Sequence, residues 1–285
     1  MKQRVITGIL FAAGVALFVI PGIWHPVFPM TMLVIAAIWS GSELASAFHT
    51  CGLYPSRRVI LSGVLLLPLA GLLRLFNLQM ASALAILVGL LFWLIIISCL
   101  FMLIRRGPQS LPTASLSSGL LLYLHVPFVM ASIMLLFLEQ GWLWFTIGLL
   151  SPWLSDVFAY FTGSTLGRHK IVPKISPKKT VEGFFGGLAG TMLVMGVAFY
   201  LLLPVFAVDG QMTGWHIGFA LAAAVLLSVA SQMGDWLASG IKRWCQIKDF
   251  GRFLPGHGGM MDRFDSALLT LPMALALAVI HQQLF

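Results

Sequence analysis

Long apolar runs separated by short polar breaks dominate this 285-residue chain, and the length of each run limits what it can be. Crossing about 30 Å of hydrocarbon takes roughly 20 apolar helical residues. Runs of that kind extend from Val5 to Trp24, Met30 to Ala47, Val59 to Leu73, Met80 to Leu103, Ser118 to Leu138, Trp142 to Thr162, Phe184 to Val205, Trp215 to Trp236 and Phe264 to His281. The pattern predicts an all-α polytopic membrane protein of about nine transmembrane helices. The third run is the weakest, being short and interrupted by Pro68. Composition agrees: 9% charged residues is far below the roughly 25% of a soluble globule. The first run follows Lys2 and Arg4 like a signal peptide, yet it is too long and lacks a small-residue cleavage site, so it is expected to stay as an anchor.

Charge sets the orientation, because Lys and Arg of short loops collect on the cytosolic side. With nine spans and a cytosolic N-terminus, sixteen of the seventeen cations face the cytosol and Arg74 alone faces away. Residues are therefore expected in the cell inner, cytoplasmic membrane, with two functional cytosolic loops at about Gly163 to Gly183 and Leu237 to Arg263. The net charge of +8 reads as a topology signal and calls for no nucleic acid. Cys51, Cys99 and Cys245 are isolated in sequence, with no metal or disulfide spacing, and read as inert or, at Cys245, modestly exposed.

Carboxylates contribute little to topology, so their positions carry other information. Glu43, Asp156 and Asp235 fall in the cytosolic halves of predicted helices, and Asp265 begins the ninth. Glu182, Asp249 and Asp262 lie in the cytosolic loops, and only Glu139 and Asp209 face the other side. Ser228, Ser231, Asp235, Ser239 and Lys242 recur every three or four residues, forming one helical stripe that leads out of the membrane. The serines of that stripe read equally well as helix-to-helix contacts. Asp262 and Asp265 share a second face, from which Arg263 is expected to point away. Carboxylates converging from two helices suit a hard divalent cation such as Mg²⁺, which prefers oxygen ligands and stays partly hydrated.

The segment from Ser239 to Asp265, SGIKRWCQIKDFGRFLPGHGGMMDRFD, concentrates these charges between two apolar runs. Charge beside hydrocarbon is costly and marks function. Its PGHGG stretch offers backbone N–H groups to phosphate, and His257 reads either as a phosphate donor or as a turn residue. Upstream, GRHKIVPKISPKKTVEGFFGG interleaves Arg168, Lys170, Lys174, Lys178 and Lys179 with prolines, and Glu182 is placed to orient one of them. Trp142, Trp144, Trp153, Trp215 and Trp236 read as interface anchors or lipid-facing side chains. His25, His49, His125, His216 and His281 read as interfacial or packing residues.

The spaced residues Ser239, Lys242, Arg243, Lys248, Asp249, Leu254, Pro255, His257, Gly258, Gly259, Asp262, Arg263 and Asp265 resemble the signature of phosphatidate cytidylyltransferases, also called CDP-diacylglycerol synthases. The upstream loop resembles that family's as well, so close likeness covers roughly the last third of the chain. The chain then reads as a single membrane domain, residues 1–162 a helical scaffold and 163–285 the signature-bearing catalytic part. The resemblance implies transfer of the cytidylyl group of CTP to phosphatidate, giving CDP-diacylglycerol and pyrophosphate for phospholipid biosynthesis. Asp235 and Asp262 are then the leading metal ligands, with Asp249 and Asp265 as further ligands or organisers. Lys242, Arg243, Lys248 and Arg263 neutralise phosphate and His257 assists. Lys178, Lys179, Ser239, Gly258 and Gly259 bind substrate. Mg²⁺ is the expected cofactor, with room for a second cation. CTP, phosphatidate and bilayer lipid are the expected partners, and a homodimer is left open.

One position departs from the family pattern. A glutamate is usual where Ala238 stands, which leaves open whether Glu43 or Asp156 takes its place; restoring it as Ala238→Glu is expected to leave activity unchanged or raised. A transporter with a carboxylate-lined pathway, or a CTP-dependent lipid kinase, is the alternative class.

Overall fold

The computed structural model describes residues 2–201, 214–256 and 258–284, so Asp209 and His257 lie outside the described residues. Each predicted apolar run is mostly helical over its described part. The helices are α1 (Lys2–Val19), α2 (Val27–Thr50), α3 (Arg57–Ser62), α4 (Leu66–Leu75), α5 (Met80–Arg106), α6 (Leu111–Phe137) and α7 (Gly141–Thr165). They continue with α8 (Val181–Leu201), α9 (Gly214–Trp244), α10 (Met261–Phe264) and α11 (Ala267–Leu284). Eight helical segments among the described residues are long and apolar enough to cross a membrane. The sixth run, α7, is as long, at 25 residues, but carries the buried Ser151 and Ser155 and the charged Asp156. It packs against α6, α8, α9 and α11.

The third run is long and apolar enough to cross despite Pro68. A single 3-10 turn, Gly63–Leu65, joins α3 to α4, and Pro68 falls in the first turn of α4, where a missing N–H breaks no helical bond. The core lies around α6, whose Leu121, Leu124 and Phe128 are fully buried. Trp144 is 1% exposed and sits edge-on to Phe219, so it is a core residue and not the interface anchor expected from the sequence. Its indole finds partners inside the bundle because four helices surround α7.

Two departures from the predicted boundaries place the site. Helix α9 runs 31 residues, about 46 Å at 1.5 Å per residue, which exceeds the hydrocarbon thickness. Its last turns carry Ser239, Lys242 and Arg243 beyond Trp236, where the predicted apolar run ends, and Ser239 and Lys242 continue the predicted helical stripe. The ninth run is broken, α10 being four residues long and separated from α11 by Asp265 and Ser266. Helices α7 and α8 meet closely: a Cβ on Gly183 would come to 2.8 Å from the Ala159 carbonyl oxygen. That approach brings the loop joining them over the end of α9.

Candidate functional site

Both polar loops are folded. In the first, residues 166–180, Lys170 and Thr180 form an antiparallel bridge, the Ile171 N–H donates to the Lys179 carbonyl at 3.2 Å, and Val181 N–H to the His169 carbonyl at 2.8 Å. Glu182 accepts from the Arg168 N–H at 3.0 Å and sits 2.7 Å from Nδ1 of His169. The carboxylate thus anchors loop backbone and a histidine, and the lysines remain directed elsewhere. In the second, Leu254 N–H donates to the Gly258 carbonyl at 2.9 Å, with Gly258 at φ +84°, a conformation that side chains rarely tolerate.

Glu43 reaches this second loop from α2. It accepts the N–H groups of Met260 and Met261 at 3.1 and 2.8 Å, two of the unsatisfied donors at the start of α10. A Cβ at Gly251 or Gly259 would collide with its carboxylate, so the glycines and the glutamate fit one another. Glu43 is therefore a backbone anchor, and it does not stand in for the absent family glutamate among the acids of the cavity described next.

Asp156, Asp235, Asp249, Asp262 and Asp265 line one 200 Å³ cavity together with Lys242 and Arg263. The side chain of Lys242 is 13% exposed; its Nζ lies 2.9 Å from Oδ1 of Asp262 and 3.9 Å from Oδ2 of Asp265. The second oxygen of Asp262 accepts the N–H groups of Phe250 and Gly259 at 2.8 and 2.9 Å. Asp235 pairs with Lys179 from the first loop and accepts the Ser239 hydroxyl at 3.4 Å. Asp265 holds the Ser266 N–H at 2.7 Å. Each of these three acids is thus held by a cation, a hydroxyl or backbone amides, which is what allows carboxylates to stay near the apolar layer.

Two further spaces adjoin the acids. Asp156 and Asp235 also face a 450 Å³ pocket with Lys178, Lys179 and Thr180. Lys178, Lys248, Asp249, Arg252, Gly258 and Arg263 face another of 590 Å³. A row of carboxylates is thus flanked by cations from both loops, a layout suited to a polyphosphate chain and a divalent ion together. No three Asp, Glu, His or Cys residues among the described residues stand close enough to enclose a metal ion by themselves. Magnesium does not need such a cage, since it keeps waters and takes one or two carboxylates plus substrate phosphates. The oxygen-only donor set fits it.

Most of the expected site residues converge, and three deserve separate mention. Arg263 lines the acid cavity, although helical spacing had turned it away from Asp262 and Asp265. Helix α10 ends at Phe264, so a continuous periodicity does not apply, and a long guanidinium side chain can reach round. Arg243 turns to the other loop, its Nε donating to the Ile175 carbonyl at 3.2 Å. His257 is outside the described residues. Asp156 joins the cluster, and its only signal in the sequence was a charged residue within an apolar run. Along α9, Ser228 bonds Ser155 at 2.8 Å, which is a helix contact, and Ala238 is fully buried.

Comparison with known proteins bears on this arrangement. Residues 2–281, nearly the whole chain, match the sequence profile of the Cytidylyltransferase family. The chain belongs to the cytidylyltransferase family. A protein of Staphylococcus epidermidis named phosphatidate cytidylyltransferase is 43% identical over 135 residues, 47% of this chain and 48% of its own length. One of the same name from Staphylococcus haemolyticus is 44% identical over 121 residues, 42% and 43% of the two chains. A third, from Staphylococcus aureus, is 42% identical over 135 residues, 47% and 48%. These alignments span about half the length of the curated relatives matched. The acids and cations described above thus belong to a cytidylyltransferase family member whose helices are long and apolar enough to cross a membrane.

Proposed function

We propose that this chain transfers the cytidylyl group of CTP to phosphatidate, forming CDP-diacylglycerol and releasing pyrophosphate. The observation that carries the reading is the row of five aspartates facing one cavity between two cationic loops at the end of membrane helices. A phosphatidate oxygen attacks the α-phosphorus of CTP, one P–O bond forms, and the bond to the β-phosphate breaks in line. That oxygen is already anionic near neutral pH, so the chain supplies position and charge neutralisation, with no strong base required.

Lys178 and Lys179 of the first loop bind nucleotide phosphates on the Asp156 side. Lys248 and Arg263 neutralise phosphate on the other, and the stiffened Gly258 and Gly259 backbone keeps Asp262 aimed into the cavity. Asp235 and Asp262 would hold Mg²⁺, with Asp249, Asp265 and Asp156 beside them; a bound divalent ion neutralises developing phosphate charge. Lys242 holds Asp262 and Asp265 in place as the cavity fills. The cation distribution supports a cytosolic N-terminus and a site open to cytosolic CTP. A homodimer is compatible with this reading.

Purified protein given labelled CTP, phosphatidate and Mg²⁺ tests the proposal, the expected product being lipid-linked cytidine. Phosphorylated lipid without cytidine, or no lipid product at all, would show the reading to be wrong.

A further inference from the structure

A second compartment, wholly apolar, opens beside the site. It is a 330 Å³ groove between α1 and α2, closed at one end by the second loop. Phe11, Gly14 and Phe18 form one wall, Met32 and Ile35 the opposite one, and Phe253 and Leu254 the end. From Leu10 to Phe18 the α1 wall extends about 12 Å along the helix. Phe253 packs on Trp39 at 4.0 Å between ring centroids, and makes a rim where the groove meets the loop. Leu10 is 66% and Ile35 39% exposed, so the groove is open along a face that belongs to membrane-crossing helices.

Leu254 belongs to both compartments. On one side it lines the apolar groove; on the other it lines the 590 Å³ pocket with Lys178, Lys248, Arg252 and Arg263, against the single carboxylate Asp249. An apolar slot in the membrane thus ends at a strongly cationic pocket, which is the chemistry of a phosphate monoester on an acyl chain. We infer that one acyl chain of the phosphatidate substrate lies in the α1–α2 groove while its phosphate sits among Lys248, Arg252 and Arg263. The volume is near the low end of ligand sites, about 300–1,000 Å³, so one chain is held and the other stays in the bilayer. This inference rests on the cytidylyl-transfer reading and adds to it the place of the lipid.

Gly14 makes the inference testable, because a Cβ there meets nothing within 4 Å. Gly14→Leu and Gly14→Phe therefore fill the groove without striking the fold. Gly89 on α5 has the same open surroundings and lies outside the groove, so Gly89→Phe is the control. The measurement is the ratio of kcat/KM for dioleoyl to dihexanoyl phosphatidate in detergent. It is expected to fall about tenfold in Gly14→Phe, the low end of what an apolar pocket discriminates by size, and to stay parental in Gly89→Phe. A photoreactive phosphatidate with a diazirine in mid-chain should label α1 and α2 of the unmodified protein. An unchanged ratio in Gly14→Phe, or labelling confined to other helices, overturns the inference while leaving cytidylyl transfer intact. A loss of dimer at an unchanged ratio overturns it too and gives the groove to a second copy of the chain. If the parent makes no cytidine-linked lipid from either substrate, the underlying reading falls and the groove's role with it.

Discussion

Lys242 Nζ lies 2.9 Å from Oδ1 of Asp262, tying the protruding end of α9 to the short helix α10. Their side chains are 13% and 5% exposed, so little water shares the pair. Removing one partner leaves the other as an uncompensated buried charge, at a cost of about 3–5 kcal/mol. Lys242→Met is expected to lower the thermal midpoint in detergent clearly. Lys242→Met combined with Asp262→Asn should recover part of that loss while remaining inactive. A single variant as stable as the parent would show that the pair does not hold the site together.

Asp235 and Asp262 approach the acid cavity from different helices, and each is expected to be needed for turnover. Asp235→Asn and Asp262→Asn should each slow cytidylyl transfer by about 10²–10³-fold, the usual loss of a group that stabilises transition-state charge. The double variant should be scarcely slower than either single one, since residues acting as a unit are not additive. Retention of more than about a tenth of parental turnover in either single variant, at equal Mg²⁺, argues against a shared site. Glu139→Gln, far from the loops in sequence, should behave like the parent.

Glu43 and Gly259 form a second pair whose coupling can be measured. Glu43→Ala removes the acceptor for the Met260 and Met261 amides, each bond to a charged acceptor being worth about 1.5–3 kcal/mol. Gly259→Ala drives a methyl into that same carboxylate. Both single variants should lose activity, and the double variant should be less impaired than the sum of the two, because truncating the glutamate makes room for the methyl. Simple additivity in a double-mutant cycle would mean that the contact does not set the loop.

Ala238→Glu is expected to reduce both folded yield and activity. The family pattern alone had suggested a neutral or helpful change. Ala238 is fully buried within the apolar packing, so a glutamate there would place an ionisable group where no partner has been prepared. Size-exclusion profiles and thermal midpoints in detergent check this; a monodisperse, fully active variant would contradict it.

Membrane orientation is open to direct labelling. Lys178→Cys and Lys248→Cys put thiols on exposed loop positions, and both should react with an impermeant maleimide only after the cytosolic side is opened. Cys245, expected from the sequence to be modestly exposed, is 1% exposed and should interfere little: burial, helped by the Cys51 sulfur 3.3 Å away, pushes its thiol up to about 12. Labelling of either engineered cysteine in intact cells would reverse the orientation.

Much of this protein was legible in the residues alone, because the legible properties are local. Apolar run length fixes which segments can cross hydrocarbon, and the spacing of Ser239, Lys242, Asp249, Asp262 and Asp265 marks the polar site whatever surrounds it. Packing between distant segments decided the rest. Glu43 meets Met260 across 217 positions, Cys51 meets Cys245 across 194, and no periodicity within one helix records which face its neighbours will cover. The same reasoning separates Asp156 from Glu43. Both are lone acids in apolar runs, yet α7 turns the first into the aspartate cavity and α2 turns the second onto loop amides. Helix length did the same for Arg243: α9 runs to Trp244, past Trp236 where the apolar run ends, because a helix once formed gains one backbone hydrogen bond for each residue added.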